Sequence, residues 1–183
     1  GNLTLVREPY RVDKLHCPAP AVRCDDSSGV HMNAVYQHLT NSLAVRSDDR
    51  PRKVYVSRQS LPGDARRFNE SEIRDVFVRL GFESIAPETM SFADQLSLYA
   101  NTTHLAGPVG SGMHNAVFAR LGAKALIVAP NSFLFRNDCL LSAACGYPLA
   151  YFIADNGPMA MTAHKPWEVD VAALAESVYD WSQ

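Results

Sequence analysis

From Lys53 onward the chain alternates short apolar runs with single helical stretches, and that alternation restricts the possible folds more than any other feature. Lys53-Val54-Tyr55-Val56-Ser57, Phe82 to Ala86, Thr103 to Ala106, Ala125-Leu126-Ile127-Val128 and Leu149 to Ile153 have the length and composition of buried strands. Between them lie helix patterns. Ile73, Val76, Phe77 and Leu80 repeat at helical spacing until Gly81, with Asn69 and Glu72 placed as an N-cap pair. Ser91 and Asp94 open a second helix through Leu96 and Tyr99, Met113 to Leu121 makes a third closed by Gly122, and a fourth falls near 137–144. A terminal helix opens at Asp170 and runs through Leu174, Val178 and Trp181. Strands that are apolar on both faces need crossover helices to join and cover them, so the expectation is an α/β fold: a parallel-sheet, Rossmann-like sandwich.

The first fifty residues read differently. Pro9, Pro18, Pro20 and the run Asp25-Asp26-Ser27-Ser28-Gly29 mark loop, followed by one helix near 30–43 with Met32, Val35, Tyr36, Leu39 and Leu43 on one face. Asp48-Asp49-Arg50-Pro51 closes this part as a linker. The expected organisation is therefore residues 1–50 as an irregular linker with one helix and residues 51–183 as the domain proper.

With 47% hydrophobic and 20% charged residues, the chain can bury a core, which excludes disorder and collagen-like structure. Seventeen Lys and Arg against nineteen Asp and Glu leave a net charge of -2, so no broad basic field exists to hold nucleic acid or an anionic membrane. An anion site must be local. No apolar run reaches the ~18 residues of a spanning helix, and a start at Gly1 suggests a processed or excised chain. Cys17, Cys24, Cys139 and Cys145 form no Cys-x-x-Cys and are expected as buried free thiols. His16, His31, His38, His104 and His164 lack ligand spacing and are expected in structural or surface roles.

Ligands of an open parallel sheet sit beyond the carboxyl ends of its strands. One such end carries Gly107-Pro108-Val109-Gly110-Ser111-Gly112, where Gly110 and Gly112 admit a ligand close to the backbone and the following helix start favours a phosphate or diphosphate. Ser111 adds a hydroxyl. Another end carries Ser57-Arg58, with Arg66-Arg67 in the loop that follows, and guanidinium groups there suit the two-pronged recognition of a diphosphate. Tight turn and solvated loop are the alternative readings of the two segments. Glu88, after the second strand, is placed to accept hydrogen bonds from a ribose diol or simply to face water. Gln95 either faces a nucleotide or caps a helix.

Taken in order, Ser57-Arg58, Arg67-x-Asn69-Glu70, Gly81-Phe82, Pro87-Glu88, Ser91-Phe92-x-x-Gln95 and the glycine loop with Asn115 resemble glycosyltransferase family 61 over about residues 53–130. The resemblance implies a two-lobed GT-B transferase whose C-terminal lobe holds a nucleotide-sugar donor, and this chain looks like that lobe. In such a lobe Arg58 and Arg67 are expected to stabilise the leaving diphosphate, and Gly110, Ser111, Gly112, Met113, Asn115, Glu88 and Gln95 to bind substrate. The family's loop reads Gly-x-His-Gly-Ala-Gly-Leu-x-Asn, so Val109 stands where the family has His, Ser111 where it has Ala and Met113 where it has Leu. His114 is one turn further on.

No Asp-x-Asp motif occurs, so neither metal nor other cofactor is expected beside the donor, a UDP-sugar by preference. The implied partners are a glycan or glycoprotein acceptor and a missing N-terminal lobe that supplies the general base. No nucleic acid or membrane insertion is expected. Bacterial capsular polysaccharide synthesis in the cytoplasm is the favoured setting, with the secretory lumen as the eukaryotic counterpart. Two alternatives stand: a non-catalytic nucleotide- or carbohydrate-binding module, which Val109 encourages, and a hydrolase using Ser111, which lacks the Gly-x-Ser-x-Gly elbow.

Overall fold

The computed structural model describes residues 31–44, 50–61, 68–155 and 166–183, together with the backbone of 22–23 and 27–28. Seven strands and five α-helices are assigned among them. Val22–Arg23 (β1) and Ser27–Ser28 (β2) make a small antiparallel pair ahead of helix α1, Met32–Leu43. The remaining strands are Lys53–Val56 (β3), Glu83–Ile85 (β4), His104–Pro108 (β5), Lys124–Pro130 (β6) and Leu149–Ala154 (β7), all parallel. They form one five-stranded sheet in the order β4-β3-β5-β6-β7. The α/β parallel sandwich expected from the alternation is the fold observed.

The sheet is buried on both faces because each strand points alternate side chains into separate cores. Val54 and Val56 of β3 and Ala125, Ile127 and Ala129 of β6 belong to one core, with Leu96 and Tyr99 of helix α3, Phe92–Asn101. Tyr55, Leu126 and Val128 belong to the other, against Ile73, Val76 and Phe77 of α2, Glu70–Arg79, and Leu174 and Val178 of α5, Val171–Trp181. A fourth covering helix, α4, spans Arg136–Cys145 on the α3 side. Burial of this kind stabilises by roughly 1.5–3 kcal/mol per large apolar side chain before conformational entropy opposes it.

The helix starts at Ser91 and Asp170 match their sequence signals. The Asp94 N–H donates to Ser91 Oγ at 3.2 Å, and the Ala172 and Ala173 N–H groups donate to Asp170 Oδ1 at 3.0 and 3.1 Å. Asn69 does something else. Its side chain leaves the α2 ladder uncapped and clamps Val169 across the fold, Nδ2 donating to Val169 O at 3.1 Å and Oδ1 accepting from Val169 N–H at 2.9 Å. Two backbone groups of a distant loop outcompete a local cap for this amide, while Glu72 still accepts from Nδ2 at 2.9 Å.

Three expectations need correction. On α1 the buried positions are Met32 and Thr40, with Tyr36 and Leu39 packed beside them, whereas Val35 and Leu43 are exposed. The helix expected at 113–121 is a 3-10 helix over Ser111–Phe118, where a three-residue period lines Met113, Ala116 and Ala119 in one buried row. Cys139 is exposed and Cys145 half-buried, rather than both lying in the core. Cys17 and Cys24, like His16 and His164, lie outside the described residues.

At the amino edge of the sheet, Lys53, His104 and Lys124 stand in register on β3, β5 and β6. Lys53 Nζ donates to Ser182 O at 3.1 Å and Lys124 Nζ donates to Trp181 O, so two ammonium groups close the carboxyl end of α5. Among the described residues no helix is long and apolar enough to cross a membrane.

Candidate active site

The strand order reverses between β3 and β5, because the chain leaves β3 for β4 at one edge and then returns to the other side of β3. At such a reversal the connecting segments diverge and leave a crevice beyond the carboxyl ends of the two strands. A cavity of about 270 Å³ lies there. Ser57, Arg58 and Leu61 come to it from the segment after β3, Pro108 from the end of β5, and Gly110, Ser111, Gly112 and Asn115 from the segment after it. Pro87 and Glu88, just past β4, and Gln95 of α3 complete the wall.

The two segments touch through one contact. Arg58 Nη1 donates to the carbonyl of Val109 at 2.9 Å, which brings the guanidinium against the glycine loop. Gly110 has φ +153°, which favours glycine, and a Cβ there would meet Nη1 at 2.8 Å and push the guanidinium aside. Deeper in the loop, a Cβ on Gly107 would meet Val56 O at 2.9 Å and Met113 Sδ at 2.8 Å, so this glycine allows β5 and the 3-10 helix to close on β3. Among the described residues the Arg58 guanidinium forms no ion pair, and Arg58 lines the cavity.

Start of the 3-10 helix adds donors. Its first ladder bond runs from Met113 N–H to Gly110 O at 3.0 Å, so the Ser111 and Gly112 N–H groups stand before the ladder at the end of the cavity. Across from Arg58, Glu88 is exposed and accepts from the Ser60 hydroxyl. Asn115 Nδ2 reaches the Tyr99 hydroxyl at 3.5 Å. Burial first, and the Glu88 charge in addition, push the Tyr99 phenol up to about 12 against a smaller lowering by Asn115, so it remains protonated at neutral pH.

The expected residues therefore divide. Arg58, Glu88, Gln95, Gly110, Ser111, Gly112 and Asn115 are brought to one cavity. Gln95 also spends its amide on the chain, donating to Pro87 O at 2.8 Å and Met90 O at 3.3 Å, which fixes the turn that carries Glu88. Met113 is elsewhere: at 2% exposed it is a core residue under the loop. Arg67 and its neighbour Arg66 lie outside the described residues. Val109 turns its side chain into the core and offers the cavity rim only its carbonyl. His114 is drawn to α4, where Nε2 lies 3.1 Å from Oδ1 of the buried Asp138 and the ring packs edge-on against Phe135.

One contributor was not legible from single residues. Glu70 is 3% exposed at the start of α2, and its Oε1 accepts from Ser57 Oγ at 2.9 Å and from the Arg58 N–H at 2.5 Å. A charged residue beside an N-cap position ordinarily faces water; the family motif includes Glu70, but only its bonds to Ser57-Arg58 reveal its role.

Comparison with protein families gives a match that covers most of the chain: the family described as Glycosyltransferase 61 matches residues 3–126. The chain belongs to glycosyltransferase family 61. No curated protein matches it. Membership makes the chain a glycosyltransferase domain, acting between a sugar donor and a glycan acceptor. The matched segment of this family 61 domain contains β3, β4, β5 and the 3-10 helix, and thus every side of the cavity.

Proposed function

We propose that this family 61 chain is the donor lobe of a GT-B transferase and holds a nucleotide-diphosphate sugar, by preference a UDP-sugar, in the crevice between β3 and β5. The observation that carries the reading is the Arg58 guanidinium bound to Val109 O against the glycine loop. Guanidinium and backbone N–H groups together suit a diphosphate, and Glu88 on the facing wall suits hydroxyls of a ribose or sugar. A cavity of about 270 Å³ is smaller than the roughly 300–1,000 Å³ of complete ligand pockets, in keeping with a donor shared between two lobes.

In this mechanism the chain works on the leaving group. As the glycosidic carbon separates from the diphosphate oxygen, negative charge grows on that oxygen, and Arg58 with the Ser111 and Gly112 N–H groups stabilises it without needing to reorganise. Arg67 is proposed as a second cation on the basis of its place in the family motif. Because the sequence contains no Asp-x-Asp, a metal-independent reaction is part of the proposal. The general base and the acceptor site belong to another lobe, and polysaccharide assembly, as in a capsule, is the proposed setting.

Calorimetry with UDP and UDP-sugars tests the reading. Binding that weakens strongly in Arg58→Ala supports it; absence of binding to any nucleoside diphosphate overturns it. A second reading, a binding module without turnover, draws on Val109, which is 5% exposed and gives the cavity no titratable side chain. Donor hydrolysis by a chain that includes the second lobe decides between the two.

A further inference from the structure

Glu70 presents a physical problem. It is a carboxylate 3% exposed whose Oε1 takes two hydrogen bonds while its buried Oε2 has no hydrogen-bond partner among the described residues. Burying a carboxylate with one oxygen unpaired is costly, and its place in the first turn of α2 offsets part of that cost. The two bonds it makes fall on consecutive residues at the point where β3 ends, just beyond the last sheet-like bond, Ser57 N–H to Ile85 O at 2.8 Å. Arg58 is thereby held at both ends, its main chain by Glu70 and its guanidinium by Val109 O.

We infer that Glu70 is a positioning residue: through the Arg58 N–H and the Ser57 hydroxyl it sets the direction in which Arg58 leaves the sheet, and so aims the guanidinium across the crevice at the glycine loop. Its role in donor binding rests on the nucleotide-binding reading above; its role in orienting Arg58 does not. The carboxylate is not itself a ligand group, since it would repel a diphosphate. Charge and geometry thus make opposite predictions, which separates them.

Two measurements test this. In the protein without ligand, the Arg58 Nε–H resonance and its heteronuclear NOE report whether the guanidinium is fixed. They should show an ordered side chain in the wild type and in Glu70→Gln, which keeps a carbonyl oxygen for both donors, and a mobile one in Glu70→Ala. If Glu70→Ala fails to fold, Glu70→Asp replaces it: the charge stays, but the oxygen withdraws by one methylene, and Arg58 should again become mobile. In UDP titrations Glu70→Ala should bind roughly tenfold more weakly, Glu70→Gln at least as tightly as wild type, and Glu70→Ala combined with Arg58→Ala no more weakly than Arg58→Ala alone. An Arg58 signal that stays ordered in Glu70→Ala and Glu70→Asp overturns the inference, as do additive losses in the double variant. Wild-type protein that ignores UDP while Arg58 responds to Glu70 overturns the nucleotide reading alone.

Discussion

The Arg58 guanidinium occupies the space that a side chain on Gly110 would need: Nη1 lies 2.8 Å from where that Cβ would be, and hydrogen-bonds the preceding carbonyl. A residue from the first crossover of the sheet and a residue from the third are thus fitted to one another, although neither contact can be inferred from either segment alone.

Gly110→Ala is expected to act on the site through Arg58. The new methyl group must displace the guanidinium, and the φ of +153° adds backbone strain of about 1–3 kcal/mol. UDP affinity should fall by about the same factor as in Arg58→Ala, and the two substitutions together should cost little more than either. Calorimetry on the three variants reads this directly; independent, additive losses would show that the glycine serves the loop and not the arginine.

Arg58→Ala itself should reduce UDP affinity by roughly 10- to 100-fold, the range of charge-assisted hydrogen bonds to phosphate, while melting within a few degrees of the wild type. Arg58→Lys should recover only part of the loss, because an ammonium cannot reach Val109 O and a phosphate with the same planar fork. Full recovery by lysine would mean that only charge matters at this position.

Asn69→Ala removes both hydrogen bonds to Val169 and should destabilise the fold by about 1–3 kcal/mol, seen in urea unfolding. Amide exchange should quicken at Val169 first, since its N–H loses its only acceptor in that clamp. A simple cap loss would instead loosen the first turn of α2.

His104 makes the protein acid-sensitive. Burial, then Lys124 and Lys53, lower its pKa from 6.5 to about 4. The unfolded chain therefore binds a proton between those values that the folded chain rejects, so stability is full above pH 6.5 and declines as the pH falls toward 4. His104→Gln should flatten this part of the stability profile, measured by urea unfolding at about pH 4.5, 5.5 and 7. An unchanged slope would place the acid sensitivity elsewhere.

How much of this could be read from residues alone follows the physics of each signal. The strands of the sheet were legible because a run such as Ala125-Leu126-Ile127-Val128 is apolar on both faces, which only a doubly covered strand tolerates. Helix faces were less so: Val35 and Leu43 fit the wheel with Met32 and Tyr36, but the buried stripe of α1 runs through Met32, Tyr36 and Thr40 at four-residue spacing. At the site, Arg58 and the glycine loop were found because both follow strands. Met113 was assigned to the ligand by its place in a motif, and a motif does not distinguish the residue that lines a cavity from the one that supports it from below. Asn69 and Glu70 were opaque because their partners, Val169 and Ser57-Arg58, lie one hundred and about a dozen residues away and are joined only by the crossovers.

The pairing of Tyr55 with Ala106 fixes the relative height of the two crevice walls. A slip of one residue would turn Arg58 toward the opposite layer and leave the glycine loop without its counterpart. A nucleotide held between them would consequently recognise only molecules whose central strands had aligned correctly, and its titration during refolding would count those molecules separately from all that are merely collapsed.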